Sequence, residues 1–319
     1  MSLVQPSQGS LAPSSYEFGL PDLDRRISLS STPRCMPSSF DSILALGNTP
    51  TLANPPPTSS IKIYPIIVAV ASGEGGQYLY GVEGDLALVF DELNARTTEP
   101  VRVITDVTGK GWDNRPQVRP PNLQSIKSSI EEVGQALAPG DLCYLYIGGH
   151  TEMNSDETSF MPLPNGERLH GKVLASWLKS AAASGGIIIA IVDVCHSSAF
   201  LRMATVYDIN TDGFFYCTKT QEEEAYALDG EVMILSSTQC GQLAVTIDVL
   251  NGRHAGNHGF FTWVLFKYLK GLEQHQQADA GKLLLGLRDE CARHHEKPLP
   301  QLSATRGDLQ KLPIGRRPA

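Results

Sequence analysis

Ile187-Ile188-Ile189-Ala190-Ile191-Val192-Asp193-Val194-Cys195-His196-Ser197-Ser198 decides how this chain is read. Such a run of β-branched residues predicts a strand buried on both faces, as in the middle of a parallel sheet. It stops abruptly in Asp, Cys, His and two Ser. In an open α/β sheet, ligands and chemistry gather at the carboxyl ends of the strands. Upstream, Leu142-Cys143-Tyr144-Leu145-Tyr146-Ile147 runs into Gly148-Gly149-His150-Thr151 in the same way. Two apolar strands, each ending in a reactive side chain and separated by one helix, set His150 beside Cys195 at one sheet edge.

Outward from this pair, strands and helices alternate. Strands are expected at 61–70, 101–107, 141–149 and 231–236. Helical spacing of Leu86, Val89, Phe90 and Leu93 predicts a first helix, and Ile126, Ile130 and Val133 a second. Further helices are expected over 169–183, 260–269 and 283–295. The pattern predicts an α/β fold with helices on both faces of the sheet. Residues 151–167 read as a short acidic loop, 202–229 as irregular, and 309–314 as a last edge strand, where Pro313 is tolerated. Residues 1–60 are rich in Ser and Pro and cannot bury enough surface to offset their ordering entropy, so they read as a disordered extension.

Composition narrows the function classes. The apolar fraction of 41% supports a substantial core, and a formal charge of -8 argues against nucleic acid and anionic membrane surfaces as partners. No signal peptide and no membrane-spanning run is apparent. The six cysteines form no close pairs, which argues against a disulfide framework and for a reducing, cytoplasmic or nuclear setting.

A thiol becomes a nucleophile when a nearby imidazole holds its proton. His150 and Cys195 are placed for this, and the N–H of Thr151 or of Cys195 can face a developing oxyanion. The competing reading is a buried thiol and an ordinary loop histidine. His196 is the nearest rival base, but strand alternation turns it away from Cys195. Asp193 shares Cys195's side of the strand, and a lone buried carboxylate there needs a partner. It serves either as a cap for backbone N–H groups or as the floor of a pocket for a cation. A zinc site from His150, Cys195 and His196 lacks a fourth ligand. Ser72-Gly73-Glu74-Gly75-Gly76 lacks the lysine and spacing of a phosphate loop.

These residues resemble the metacaspases, within the caspase-like cysteine peptidases. Gly148-Gly149-His150 and Asp193-Val194-Cys195-His196-Ser197-Ser198 are similar to the two site motifs, and caspases place the His about 50 residues before the Cys. Tyr80-Gly81-Val82-Glu83-Gly84-Asp85, the segment 235–244 and Gly259-Phe260-Phe261-Thr262 extend the resemblance over about residues 61–315. It implies a three-layer α/β/α sandwich on a largely parallel six-stranded sheet. A large segment (61–200) would be followed by an exposed linker (201–230) and a small segment (231–315). It further implies a thiol endopeptidase of the caspase-like, apoptosis-linked kind, cutting protein or peptide substrates after Arg or Lys. His150 and Cys195 would form the dyad, and Asp85 and Asp193 would bind the basic side chain.

Two departures shape the alternative, an inactive caspase-like domain acting as a scaffold or regulator. Thr151 and Ser198 stand where the family has glycine, which restricts the backbone beside the dyad. The loop after His150 keeps only Glu152, Asp156 and Glu157 as calcium candidates, against the six to eight oxygens calcium takes. No other cofactor is implied. Residues 218–224 form an acidic, exposed stretch, and Lys219 within it is the expected self-processing site of a zymogen.

Overall fold

The computed structural model describes residues 61–72, 77–97, 99–109, 111–112, 115, 117–154, 158–203, 205–209, 215–219, 230–271, 278–294, 298–305 and 311–312. The expected extension at 1–60 lies outside them.

In chain order, β1 (Ile63–Ala69) is followed by α1 (Tyr80–Asn94), β2 (Arg102–Thr105), β3 (Val118–Arg119), α2 (Leu123–Ala136) and β4 (Leu142–Gly148). A meander of β5 (Glu152–Met153), β6 (Ser159–Pro162) and β7 (Arg168–His170) leads to α3 (Gly171–Ala182) and β8 (Ile187–Asp193). Then come α4 (Ser197–Phe200), β9 (Thr205–Ile209), β10 (Phe215–Lys219), β11 (Glu231–Ser236), β12 (Thr246–Val249) and β13 (Gly256–Gly259). The chain ends with α5 (Phe260–Gly271), β14 (Ala278–Asp279), α6 (Ala280–Arg293), β15 (Gln301–Ala304) and β16 (Lys311–Leu312).

The main sheet runs β10-β9-β15-β11-β8-β4-β1-β2-β3. Strands β3, β2, β1, β4, β8 and β11 are parallel neighbours, whereas β15, β9 and β10 add antiparallel to one side. The expected six-stranded sheet is therefore corrected to nine strands among the described residues.

Side-chain alternation splits the core between two faces. Tyr144 and Tyr146 of β4, with Ile189 and Ile191 of β8, pack with Leu86 and Val89 of α1 and Phe261 and Leu265 of α5. Leu145, Ile147, Ile188, Ala190 and Val192 face the other way, onto Ile126 and Ile130 of α2 and Leu174 and Leu178 of α3. Helices thus cover both faces, and a two-sided strand such as β8 must be apolar at every position. Its β-branched run follows from that demand.

Three local expectations are corrected. Within 202–229, Thr205–Ile209 and Phe215–Lys219 pair antiparallel, and Tyr207 is buried opposite Leu302. Val206, Tyr207 and Ile209 favour extended chain, and Arg288 of α6 fastens the strand by an ion pair to Asp208 while also donating to the Pro300 carbonyl. The exposed-linker reading therefore fails for 205–209, and 220–229 lie outside the described residues. Residues 151–167 are no simple loop, since buried Phe160 and Met161 pair with His170 and Leu169. The last strand of the main sheet is Gln301–Ala304, not 309–314; Lys311–Leu312 pairs instead with Ala278–Asp279.

Candidate active site

Strands β4 and β8 end together because Gly148 pairs with Asp193 in parallel register. Both residues continue the parity of Tyr146 and Ile191, so they belong to the sheet face covered by α1 and α5. His150 and Cys195 each stand two residues further along. Gly149 has φ 151°, and a side chain there would come within 2.9 Å of the Val70 carbonyl oxygen. Only glycine lets the chain turn this way against the end of β1.

The turn after β8 is braced rather than loose. His196 adopts a left-handed conformation (φ 54°, ψ 29°), the one non-glycine residue with positive φ among those described. Its N–H donates to the Gln242 carbonyl at 2.8 Å. Ser197 is fully buried and locked to Thr238: the Thr238 hydroxyl accepts its N–H at 3.0 Å, and its own hydroxyl donates to the Thr238 carbonyl at 3.0 Å. Ser197 is therefore a brace for the loop. Ser198 lies in helical α4, and neither it nor Thr151 has a positive φ, so both β-carbons fit backbones that ordinary residues adopt.

Thr151 is buried, and its hydroxyl donates to the backbone carbonyl of Cys195. This bond ties the two strand ends directly. The Cys195 thiol is half-buried and accepts the N–H of Ala244 at 3.4 Å. Burial pushes the thiol above its ordinary range and the Asp193 charge adds to this, while the N–H groups of Ala244 and of Cys195 itself oppose it. At neutral pH the sulfur rests as a thiol. No hydrogen bond joins the His150 ring to that thiol among the described residues.

His196 departs from the strand-alternation expectation. The chain leaves extended geometry at this residue, and its ring comes within the electrostatic reach of His150. Burial holds its pKa down and a charge on His150 would lower it further, so His196 rests neutral. Its Nδ1 is buried without a hydrogen-bond partner.

Asp85 and Asp193 do meet. A β-carbon on Gly259 would lie 2.3 Å from Asp193 Oδ2 and 2.7 Å from Asp85 Oδ2, so both carboxylates press on the same bare backbone. Thr262 donates to Asp193 Oδ2 with its N–H (3.1 Å) and its hydroxyl (2.7 Å), which places the carboxylate in the first turn of α5. Asp85 Oδ2 accepts the Gly259 N–H at 2.9 Å, and Asp85 Oδ1 faces His258 Nδ1 at 3.1 Å. The Tyr146 hydroxyl lies 3.4 Å from Asp85 and 3.1 Å from the Thr262 hydroxyl. A β-carbon on Gly148 would sit 2.7 Å from that phenol oxygen, so this glycine makes room for the tyrosine. Asp85 and Asp193 are only 3% and 6% exposed, and His258 is 1% exposed. The acids are gathered but covered.

The sequence reading missed His258 and the role of Thr262. Both lie in or beside the quoted Gly259-Phe260-Phe261-Thr262 segment, and the need of Asp193 for a buried partner was the available signal. For metals, Glu152 lies in β5, whereas Asp156 and Glu157 are outside the described residues. Among the described residues, no three His, Cys, Asp or Glu side chains converge to hold a metal ion. Lys219 closes β10 opposite Thr205 in the ladder.

No protein-family model matches the chain, and no curated protein matches it in sequence. Among solved structures it is similar to Caspase-1 from Spodoptera frugiperda, with a TM-score of 0.50 and 13% identity, covering 85% of this chain and 100% of that one. A Geobacter sulfurreducens protein of known crystal structure is similar at a TM-score of 0.49 and 14% identity, over 76% of this chain and 92% of that one. Among the described residues, no helix is long and apolar enough to cross a membrane. At such identities the likeness to the insect caspase speaks to fold alone: the chain has a mixed α/β fold that resembles the caspase-like one.

Proposed function

We propose that this protein is a metacaspase-like cysteine endopeptidase in which Cys195 is the nucleophile and His150 the general base, with cleavage after Arg or Lys. The observation that carries this reading is the Gly148–Asp193 register, closed by the Thr151 hydroxyl on the Cys195 carbonyl. It supports a dyad of two strand-end residues on one face. Cys195 Sγ would attack the scissile carbonyl carbon as His150 takes its proton, and His150 would return that proton to the leaving amine. Water would then cleave the thioester. Because the resting sulfur is a thiol, the proton would move during attack rather than beforehand. Helical geometry at Ser198 and the ordinary backbone at Thr151 favour this reading over an inactive scaffold.

The test is hydrolysis of matched Arg, Lys, Asp and Ala peptides by wild type and Cys195→Ala. Turnover of basic peptides by wild type alone is expected. No turnover of any peptide, with or without calcium, would favour the scaffold. Self-processing would be expected after Lys219, checked by mass spectrometry of both proteins after incubation.

A further inference from the structure

The ribbon β12–β13 is hydrogen-bonded as a separate two-stranded sheet, outside the main one. The segment that leads into it passes the thiol: the Gln242 carbonyl accepts the His196 N–H, and the Ala244 N–H reaches Cys195 Sγ. Its far strand then crosses α1 at the two acids. Gly84 permits this crossing, since a β-carbon there would lie 2.1 Å from the Asn257 carbonyl oxygen. One stretch of chain thus touches both the candidate nucleophile and the candidate specificity pocket.

His258 occupies the acidic end of that stretch. Its Nε2 lies 2.7 Å from the His254 carbonyl, which can only accept, so Nε2 carries a hydrogen. The Nδ1 to Asp85 contact must then hold one further proton, owned by the ring or by the carboxyl. Either way, the pair presents one negative charge less than two bare carboxylates. With Gly259 seated against both Oδ2 atoms, an incoming guanidinium or ammonium finds neither the charge nor the room.

We propose that His258 is a resident cation surrogate for the Asp85–Asp193 pair, a specificity-determining residue that must withdraw with β13 before an arginine or lysine side chain can enter. This rests on the basic-residue reading above. The same withdrawal moves the segment that covers Cys195, so occupancy by the correct side chain and uncovering of the thiol are coupled. Discrimination then lies in the exchange of the resident His258 ring and its shared proton for an incoming cation rather than in an open acidic pocket.

The test uses the full chain carrying Cys195→Ala, titrated calorimetrically with agmatine, and with butylurea as an uncharged counterpart. His258→Gln is expected to bind agmatine at least about fivefold more tightly than the chain with His258, with no gain for butylurea. Adding Asp85→Asn to His258→Gln should remove that gain. Equal gains for both compounds would mean general loosening and would overturn the proposal, as would equal or weaker agmatine binding, or none. Should His258→Gln fail to fold, the ring resonance of His258 in the Cys195→Ala chain decides: saturating agmatine must shift it. Wild-type cleavage of Ala peptides alongside absent agmatine binding would sink this proposal but leave the peptidase reading standing.

Discussion

The Thr151 hydroxyl donates to the backbone carbonyl of Cys195, so the residue after the candidate base holds the main chain of the candidate nucleophile. Both groups are drawn from neighbouring parallel strands, and neither end is otherwise joined to the other by side chains among the described residues. The bond therefore adds a side-chain tie to the strand register that sets the two main chains side by side.

Thr151→Val keeps the branched shape and removes the donor, leaving a carbonyl without its partner. The expected loss is about 1 kcal/mol of stability, roughly 2 °C in melting temperature or less for a chain of this size. Peptide turnover should fall by more than the stability change explains, whereas Thr151→Ser should retain both properties. Denaturant unfolding and hydrolysis of one Arg peptide would check this. Unchanged turnover in Thr151→Val would show that register alone sets the dyad.

Resting protonation of Cys195 gives a second expectation. Burial and the Asp193 charge raise its pKa, so the thiolate fraction should still be climbing at alkaline pH. The rate of alkylation by iodoacetamide should rise through about pH 9, the ordinary thiol region, without levelling off before it. A plateau on the acidic side of neutrality would reveal a preformed thiolate–imidazolium pair and contradict attack from the thiol.

Much of this arrangement is legible in the amino-acid sequence. The unbroken Ile187–Val192 run required burial on both faces, and burial required helices on both sides, which is what α1, α5, α2 and α3 provide. The antiparallel edge was harder to read because β9 and β15 are short and owe their order to distant partners, such as Arg288 on Asp208. The turn at His196, a residue named only as a rival base, escaped because a single left-handed residue breaks the alternation rule there. His258 escaped for a different reason. Its importance depends on Gly84 and Gly259 letting two backbones close on Asp85, a contact between elements 174 residues apart at Gly259 N.

Asp85 supplies a pH signature. Burial pushes its carboxyl up to about 7; Asp193 adds to the rise, while His258 and the Gly259 N–H oppose it. An unfolded carboxyl titrates near about 3.9, so between these values the folded chain holds the extra proton. Stability should accordingly decline as pH rises from about 4 toward 7, then flatten. Asp85→Asn cannot ionise and can still donate to His258 Nδ1, so its melting temperature should fall less over that window. If wild type instead gains on Asp85→Asn as pH rises, the ion pair with His258 outweighs burial.

Asp193 allows the sharpest separation of roles, because its charge is expected to act oppositely on two measurements. Asn at this position can still accept both Thr262 donors through its carbonyl oxygen, so the first turn of α5 should stay in place. What disappears is the negative charge. Losing a charged partner at a desolvated contact typically costs about 2–5 kcal/mol, so turnover of an Arg peptide should fall at least about tenfold, with Ala peptides affected far less. The same charge raises the Cys195 pKa, and removing it should make the thiol more acidic. Iodoacetamide labelling at mildly alkaline pH should therefore be faster in Asp193→Asn than in wild type, while peptide turnover is slower. Hydrolysis of matched Arg and Ala peptides, run beside labelling rates and a melting curve, measures both effects on one protein. Slower labelling together with equal loss on both peptides would assign Asp193 to holding the catalytic loop, and an unchanged Arg-to-Ala ratio would remove it from specificity altogether.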